Sequence, residues 1–251
     1  MLQIANYHML DCDYRPAADV GERFAAGDLR FIVLHYTAGA SFSGAAATLT
    51  NDDDNYVSSH MLVGLDGQMQ QFVPFDTIAW HAGKSTWGGY EGLNAYSIGI
   101  EMVNPGYARD GISYDGPTVR ARHKAGGPER DWYLYPLVQI QRVAEICTAL
   151  CRTYPTIETI IGHDDCSQNG KIDPGPAWDW ELFRSMLGKS ELELQFVAPD
   201  WHPELAAAAL DFATLIRDLT PAGADRLAAI RKVREALWTA QASFVSTVKA
   251  K

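Results

Sequence analysis

The sequence reads as an α/β domain, a central mixed sheet flanked by helices, continued by a C-terminal helical segment. Three observations carry that reading. Phe31-Ile32-Val33-Leu34 and Ser97-Ile98-Gly99-Ile100 are runs without the polar alternation of a half-exposed strand, the pattern of strands covered on both faces. Between them, Leu65-Asp66-Gly67 joins residues 60–64 to residues 68–73, and Asp-Gly between two apolar runs signals a hairpin. After them, Pro136 opens a long helix whose apolar positions Leu137, Ile140, Val143, Ala144, Cys147, Leu150 and Cys151 recur at steps of three and four.

In chain order, residues 18–28 form a surface turn around Gly21 and Gly27 and deliver a buried strand at 30–37. Residues 43–49 are Ala-rich and predict a short helix that Ser41 or Ser43 caps. An acidic, polar turn follows at 51–55. Residues 79–92 make a loop rich in rings, with Trp80-His81-Ala82-Gly83, Trp87 and Tyr90. The second buried strand, 97–104, carries one anomaly, the carboxylate of Glu101. Residues 105–131 are rich in Gly, Arg and Asp and predict a long irregular loop, a length that usually marks function or motion. A strand at 157–161 and a helix at 176–187, carrying Trp178, Trp180, Phe183 and Met186, complete the domain. Helical stretches at 202–219 and 222–248, parted by Thr220-Pro221-Ala222-Gly223, form the appendage. The expected division is a domain over 1–188 and an appendage over 189–251.

Composition narrows the class of function. The chain has 251 residues, a formal charge of −10 and a pI near 5.1. Residues 188–251 balance eight basic against eight acidic side chains, so the excess negative charge sits in the first part. Nucleic-acid binding needs clustered Lys and Arg and is not expected. No run of eighteen apolar residues exists, so no transmembrane segment is expected. The N-terminus lacks the basic and apolar regions of a secretory signal, which predicts a chain that is cytoplasmic as synthesised. Cys12, Cys147, Cys151 and Cys166 form no CxxC pair and are expected to be free thiols.

The chemistry concentrates at residues 160–176. A strand delivers His163, and ten residues later Asp173 is set against Pro174-Gly175-Pro176, with Lys171 two residues before it. An imidazole and a carboxylate on opposite sides of one loop can converge on a zinc ion. A catalytic zinc takes three protein ligands and keeps a fourth position for water, and His35, closing the first strand, is the obvious third donor. By itself a strand-end histidine is more often a hydrogen-bonded core residue; the combination with His163 and Asp173 makes it a ligand candidate.

His35-Tyr36-Thr37, Trp80-His81-Ala82-Gly83, Ser97-Ile98-Gly99-Ile100-Glu101, Gly162-His163-Asp164 and Lys171-Ile172-Asp173-Pro174-Gly175-Pro176, in this order, resemble the zinc-dependent N-acetylmuramoyl-L-alanine amidases of the amidase-2 family. That family includes bacterial muropeptide amidases, phage T7-type lysozymes and peptidoglycan-recognition proteins. The resemblance implies His35, His163 and Asp173 as zinc ligands, Glu101 as general base and Lys171 as the group that steadies the oxyanion. The physical reading agrees: a carboxylate in an apolar strand has a raised pKa, and a lysine beside a metal stabilises charge growing on a carbonyl oxygen. The branch of phage lysozymes and recognition proteins, with cysteine as third ligand, fits less well. Cys166 lies only three residues after His163, and Ser59 stands where that branch has a tyrosine.

The implied reaction is hydrolysis of the amide between the lactyl group of N-acetylmuramic acid and L-alanine, on peptidoglycan or muropeptides. His81 is expected either at the substrate cleft or behind the metal; Trp87 and Tyr90 are candidates to stack on sugar or stem peptide, or simply to pack. His60 is expected to face the core or a neighbouring strand. The resemblance leans to a wall-lytic enzyme such as a phage endolysin, released to the wall by a holin or a dedicated secretion system. The alternatives are a cytoplasmic muropeptide-recycling amidase and a non-catalytic peptidoglycan-binding module.

Overall fold

A computed structural model describes residues 2–51 and 57–187. The helical appendage expected at 189–251 and most of the polar turn at 51–55 lie outside the described residues. The chain opens with three two-residue strands, β1 (Ile4–Ala5), β2 (His8–Met9) and β3 (Asp13–Tyr14). Next come β4 (Phe31–Tyr36), α1 (Phe42–Leu49), β5 (Met61–Val63), β6 (Met69–Gln71), the short ribbon β7 (Thr86–Trp87) and β8 (Tyr90–Glu91), and β9 (Ser97–Met102). A second ribbon, β10 (Thr118–Arg122) and β11 (Glu129–Tyr133), leads to α2 (Leu137–Thr153), β12 (Thr159–Gly162), the single turn α3 (His163–Cys166) and α4 (Trp180–Met186).

Six strands form one mixed sheet in the order β12-β4-β9-β5-β6-β3. β12, β4, β9 and β5 run parallel, and β6 turns back antiparallel to β5 through Asp66-Gly67. Both faces of the parallel part are covered, which is why its strands lack alternation. Ile32, Leu34, Ile98, Ile100 and Ile160 enter the larger core with Ile140, Val143, Cys147 and Leu150 of α2. Phe31, Val33 and Ile161 enter a smaller one with Ala82, Leu93 and Cys166. Each fully buried aliphatic side chain contributes about 1.5–3 kcal/mol.

Two polar contacts fix the helices. Ser41 caps α1, its Oγ accepting from Gly44 N at 3.1 Å. Gln139, fully buried in the first turn of α2, donates through Nε2 to Val63 O and Val103 O, both at 3.0 Å. It therefore joins α2 to the carboxyl ends of β5 and β9. All four cysteines are free thiols.

Three expectations need correction. Residues 105–131 are not irregular throughout, because β10 and β11 pair antiparallel from Thr118–Tyr133 to Arg122–Glu129. Alternation there is between charge and bulk: Arg120 meets Asp131 at 3.1 Å on the outside, while Trp132 is 1% exposed on the inside. The helix expected at 176–187 starts at Trp180, since Asp179 is its cap, accepting from Leu182 N at 2.9 Å. The loop at 79–92 contains the ribbon β7–β8.

Candidate active site

The carboxyl ends of β4, β9 and β12 lie side by side, where ligand sites form in open α/β sheets. His35 is the penultimate residue of β4, and Glu101 of β9 is its register partner, so both side chains leave the same face. Gly162 ends β12 opposite Leu34 and places His163 at the start of α3. The loop then returns to lay Asp173 beside His163. Asp164 N donates to Asp173 O at 2.7 Å, and Tyr135 Oη donates to Pro174 O at 2.8 Å.

His35 Nδ1, His163 Nδ1 and Asp173 Oδ2 form a triangle with all three edges at 3.0 Å. Their residues are 2%, 4% and 7% exposed. The surrounding hydrogen bonds fix the tautomers. His163 Nε2 faces Ala82 O at 3.2 Å and so carries a proton; in the neutral ring its Nδ1 is then bare. His81 Nε2 faces Ser97 O at 3.3 Å, so it too is protonated, and its Nδ1 accepts from His35 Nε2 at 2.9 Å. His35 Nδ1 is thereby also bare. With both rings neutral in these tautomers, two lone pairs and a carboxylate oxygen converge, an arrangement that repels itself unless a cation sits between. Tetrahedral donors at zinc–nitrogen and zinc–oxygen distances of about 2.0–2.1 Å lie about 3.3 Å apart, so the triangle needs only a slight opening to hold zinc.

Burial and close contact also set the charges of these groups. Burial, with His163 next, pushes His35 down to about 4, keeping it neutral. Burial alone would raise the Asp173 carboxyl, but hydrogen bonds and charge from His163 and His35 outweigh it and hold it well below the usual carboxylate range. Cys166 takes no part: its Sγ turns back to His163 O at 3.5 Å.

His81 stands behind the triangle, its ring against the backbone of β9. A Cβ at Gly99 would lie 2.5 Å from His81 Cγ, so only glycine leaves room for the ring. Asn94 holds the segment from the other side, its Oδ1 accepting from His81 N at 3.0 Å and Ala82 N at 2.7 Å. His60 lies one step further back, accepting from Gly99 N at 3.0 Å and donating to Thr77 O at 2.9 Å.

A cleft of about 720 Å³ opens over the triangle, and Glu101 and Lys171 both line it. Glu101 Oε2 is shut off from solvent with no hydrogen-bond partner, and burial, with Asp173 adding and Lys171 opposing, pushes its carboxyl up to about 8. Trp80, 37% exposed, and Val57, 43% exposed, also line the cleft. They lie side by side because Ser58 N donates to Trp80 O at 3.1 Å and Trp80 N to Ser58 Oγ at 3.0 Å. Trp87 and Tyr90, the aromatic residues singled out from the sequence for substrate, lie outside the cleft lining. Both pack against the smaller core, Tyr90 edge-on to Phe31 with ring centroids 5.3 Å apart. Within the ring-rich loop, the ribbon β7–β8 turns these two against the smaller core, whereas Trp80 lines the cleft. Trp80 was identifiable from its place beside His81 in the same motif; no sequence signal singled out Asn94.

The Amidase_2 family model, N-acetylmuramoyl-L-alanine amidase, matches residues 25–176. The 1,6-anhydro-N-acetylmuramyl-L-alanine amidase AmpD of Escherichia coli K12 is 37% identical over 134 residues, 53% of this chain and 60% of its own length. The N-acetylmuramoyl-L-alanine amidase AmiD of the same organism is 34% identical over 161 residues, 61% of this chain and 51% of its own length. The chain therefore spans between half and three-fifths of these two curated relatives. A crystal structure of a selenomethionine AmpD derivative superposes with a TM-score of 0.55 at 28% identity, covering 74% of this chain and 99% of that one. E. coli AmiD in complex with anhydro-N-acetylmuramic acid-L-Ala-D-gamma-Glu-L-Lys gives 0.51 at 29% identity, over 74% and 65%. AmpDh3 from Pseudomonas aeruginosa in complex with anhydromuramic pentapeptide gives 0.51 at 26% identity, over 93% and 80%. A family match over more than half the chain, running through β4, β9, β12 and the loop to Pro176, means that this chain belongs to the Amidase_2 family of N-acetylmuramoyl-L-alanine amidases.

Proposed function

We propose that the chain is a zinc-dependent amidase that cleaves between the lactyl group of N-acetylmuramic acid and the L-alanine of a stem peptide. The observation that carries this is the convergence of His35 Nδ1, His163 Nδ1 and Asp173 Oδ2 on one point, beside the unpartnered Oε2 of Glu101. His35, His163 and Asp173 would hold one zinc ion. When bound, the metal supplies Lewis-acid activation of water and of the scissile carbonyl. Glu101 takes the proton from the attacking water at Oε2 and returns it to the leaving amine of L-alanine, so proton and leaving group balance. Lys171, on the cleft wall, presents its ammonium to the negative charge that grows on the carbonyl oxygen. The substrate enters by Trp80 and Val57, whose exposed apolar surface at the mouth suits the face of a sugar ring.

As to substrate size, the names of the AmpD relatives and the anhydromuramoyl peptides in the AmiD and AmpDh3 complexes support soluble muropeptides. We therefore favour muropeptides over the intact wall that an endolysin attacks. A pure binding module is disfavoured because the full donor set, Glu101 and Lys171 are all present around one cleft.

The test is mass spectrometry of purified disaccharide-peptide and 1,6-anhydro muropeptides incubated with the full chain, with and without a zinc chelator. Release of free stem peptide, abolished by chelation and restored by zinc, is expected. Unchanged muropeptides from protein shown to contain zinc would sink the amidase reading.

A further inference from the structure

The loop that carries His163 and Asp173 is gripped from outside the cleft at two places, both by the ribbon β10–β11. At its tip, Lys124 Nζ meets Asp164 Oδ1 at 2.9 Å and also contacts Asp165 Oδ1. His123, whose Nδ1 accepts from Ala125 N at 3.1 Å, directs its Nε2–H to Asp164 Oδ2 at 2.9 Å. The Asp164 and Asp165 side chains are 5% and 4% exposed, and they directly follow His163. The second Asp165 oxygen accepts from Gly162 N at 2.8 Å, on the other side of that histidine. At the base of the ribbon, Trp132 closes on Gly175, two residues after Asp173. A Cβ there would lie 2.7 Å from Trp132 Cζ3, so the indole touches the backbone itself. Asp164 N to Asp173 O, at 2.7 Å, ties the two gripped ends together.

We infer that the β10–β11 ribbon is a clamp on the metal-ligand loop, with Lys124 the positioning residue that sets how tightly His163 and Asp173 hold zinc. Two adjacent carboxylates taken out of water repel each other unless a cation bridges them, and separating them turns α3. His163 opens α3, and Asp173 O is bonded to the same turn, so this motion opens the 3.0 Å triangle at two of its corners. Outer contacts of this kind act on metal affinity rather than on the chemistry of the cleft, which Lys124 does not line.

The inference rests on the zinc reading above, and the experiment separates the two. Zinc affinity of the purified full chain is measured by competition with a chromogenic chelator, and thermal stability is measured with and without zinc. The variants are Lys124→Gln, Lys124→Arg, and Arg120→Gln as a surface charge change in the same ribbon. Lys124→Gln is expected to weaken zinc binding about 10- to 100-fold. Lys124→Arg restores most of the affinity, and Arg120→Gln leaves it unchanged. If Lys124→Gln does not fold, adding Asp164→Asn, which removes one of the two repelling carboxylates, is expected to restore folding and most of the zinc affinity. A folded Lys124→Gln protein with wild-type zinc affinity overturns the clamp, as does an equal loss of stability with and without zinc. A wild-type chain that takes up no zinc overturns the metal reading instead.

Discussion

Glu101 is the residue whose surroundings contradict its chemistry: a carboxylate in a buried strand, with one oxygen shut off from solvent and without a hydrogen-bond partner. Such a group is retained against its cost in stability, and the proposed base role accounts for it. Glu101→Gln is expected to lower kcat by about 10²–10⁴ while zinc content stays stoichiometric, as checked by metal analysis and stem-peptide release. Full activity in that variant removes Glu101 from the mechanism. A pH dependence follows in the zinc-free protein. Folding raises this carboxyl from 4.5 to about 8, so the folded chain binds more protons than the unfolded one between those values. Stability from this group is therefore fully present below pH 4.5 and lost as pH rises towards 8. In chelator, the melting temperature of Glu101→Gln relative to wild type is expected to climb from pH 5 to pH 8 and then level off. A constant difference across that range would show that Glu101 titrates normally.

His81 makes a second case among single residues. It lines the cleft but spends both nitrogens on His35 and Ser97, so on the proposed zinc reading its work is to keep Nδ1 of His35 turned towards the other two ligand candidates. His81→Leu is expected to cost about 10- to 100-fold in zinc affinity, read by chelator competition, with a smaller loss of kcat once zinc is saturating. Loss of kcat at saturating zinc with affinity untouched would instead put His81 in the chemistry.

Among the elements, β4 and β9 were legible because both of their faces are buried, which leaves hydrophobic runs that only covered strands carry. The long helix was equally plain, since α2 buries one stripe and caps its start with Pro136. The ribbon β10–β11 was not. Its outward residues Arg120, Arg122, Glu129 and Asp131 make it look like a charged loop, and its inward ones are too few to show a period. Its cross-strand charges were the available signal. The three N-terminal strands escaped notice because two residues carry no period at all. The placement of the candidate residues was legible where motifs lie on strand ends, as with His35 and Glu101, and illegible where a side chain's direction depends on a turn, as with Trp87 and Tyr90. Gly99 shows how tightly β9 is bound to the site. Gly99→Ala puts a methyl group into the His81 ring and is expected to cost about 1–3 kcal/mol of stability, measured by denaturant unfolding. It is also expected to weaken zinc binding, whereas a change confined to stability would mean that His81 moves without disturbing His35.

For the molecule as a whole, the question is how much of the chain the site requires. Every residue proposed for chemistry lies between His35 and Asp173, the family match ends at Pro176, and the larger core is closed by Trp180, Phe183 and Leu187. We propose that residues 1–188 form a self-sufficient zinc amidase unit and that residues 189–251 are separate from it. Binding of zinc to the folded state alone stabilises by about 4 kcal/mol at a thousandfold excess over Kd, which for a domain of this size raises the melting temperature by roughly 8–16 °C. A fragment ending at Gly188 is expected to show the same zinc-dependent rise as the full chain and the same release of stem peptide from muropeptides. His35→Ala in either protein is expected to abolish the rise, because two remaining donors cannot replace the third. A fragment that folds and binds zinc but no longer releases peptide would assign residues 189–251 to substrate binding. One that does not fold would make them part of the core.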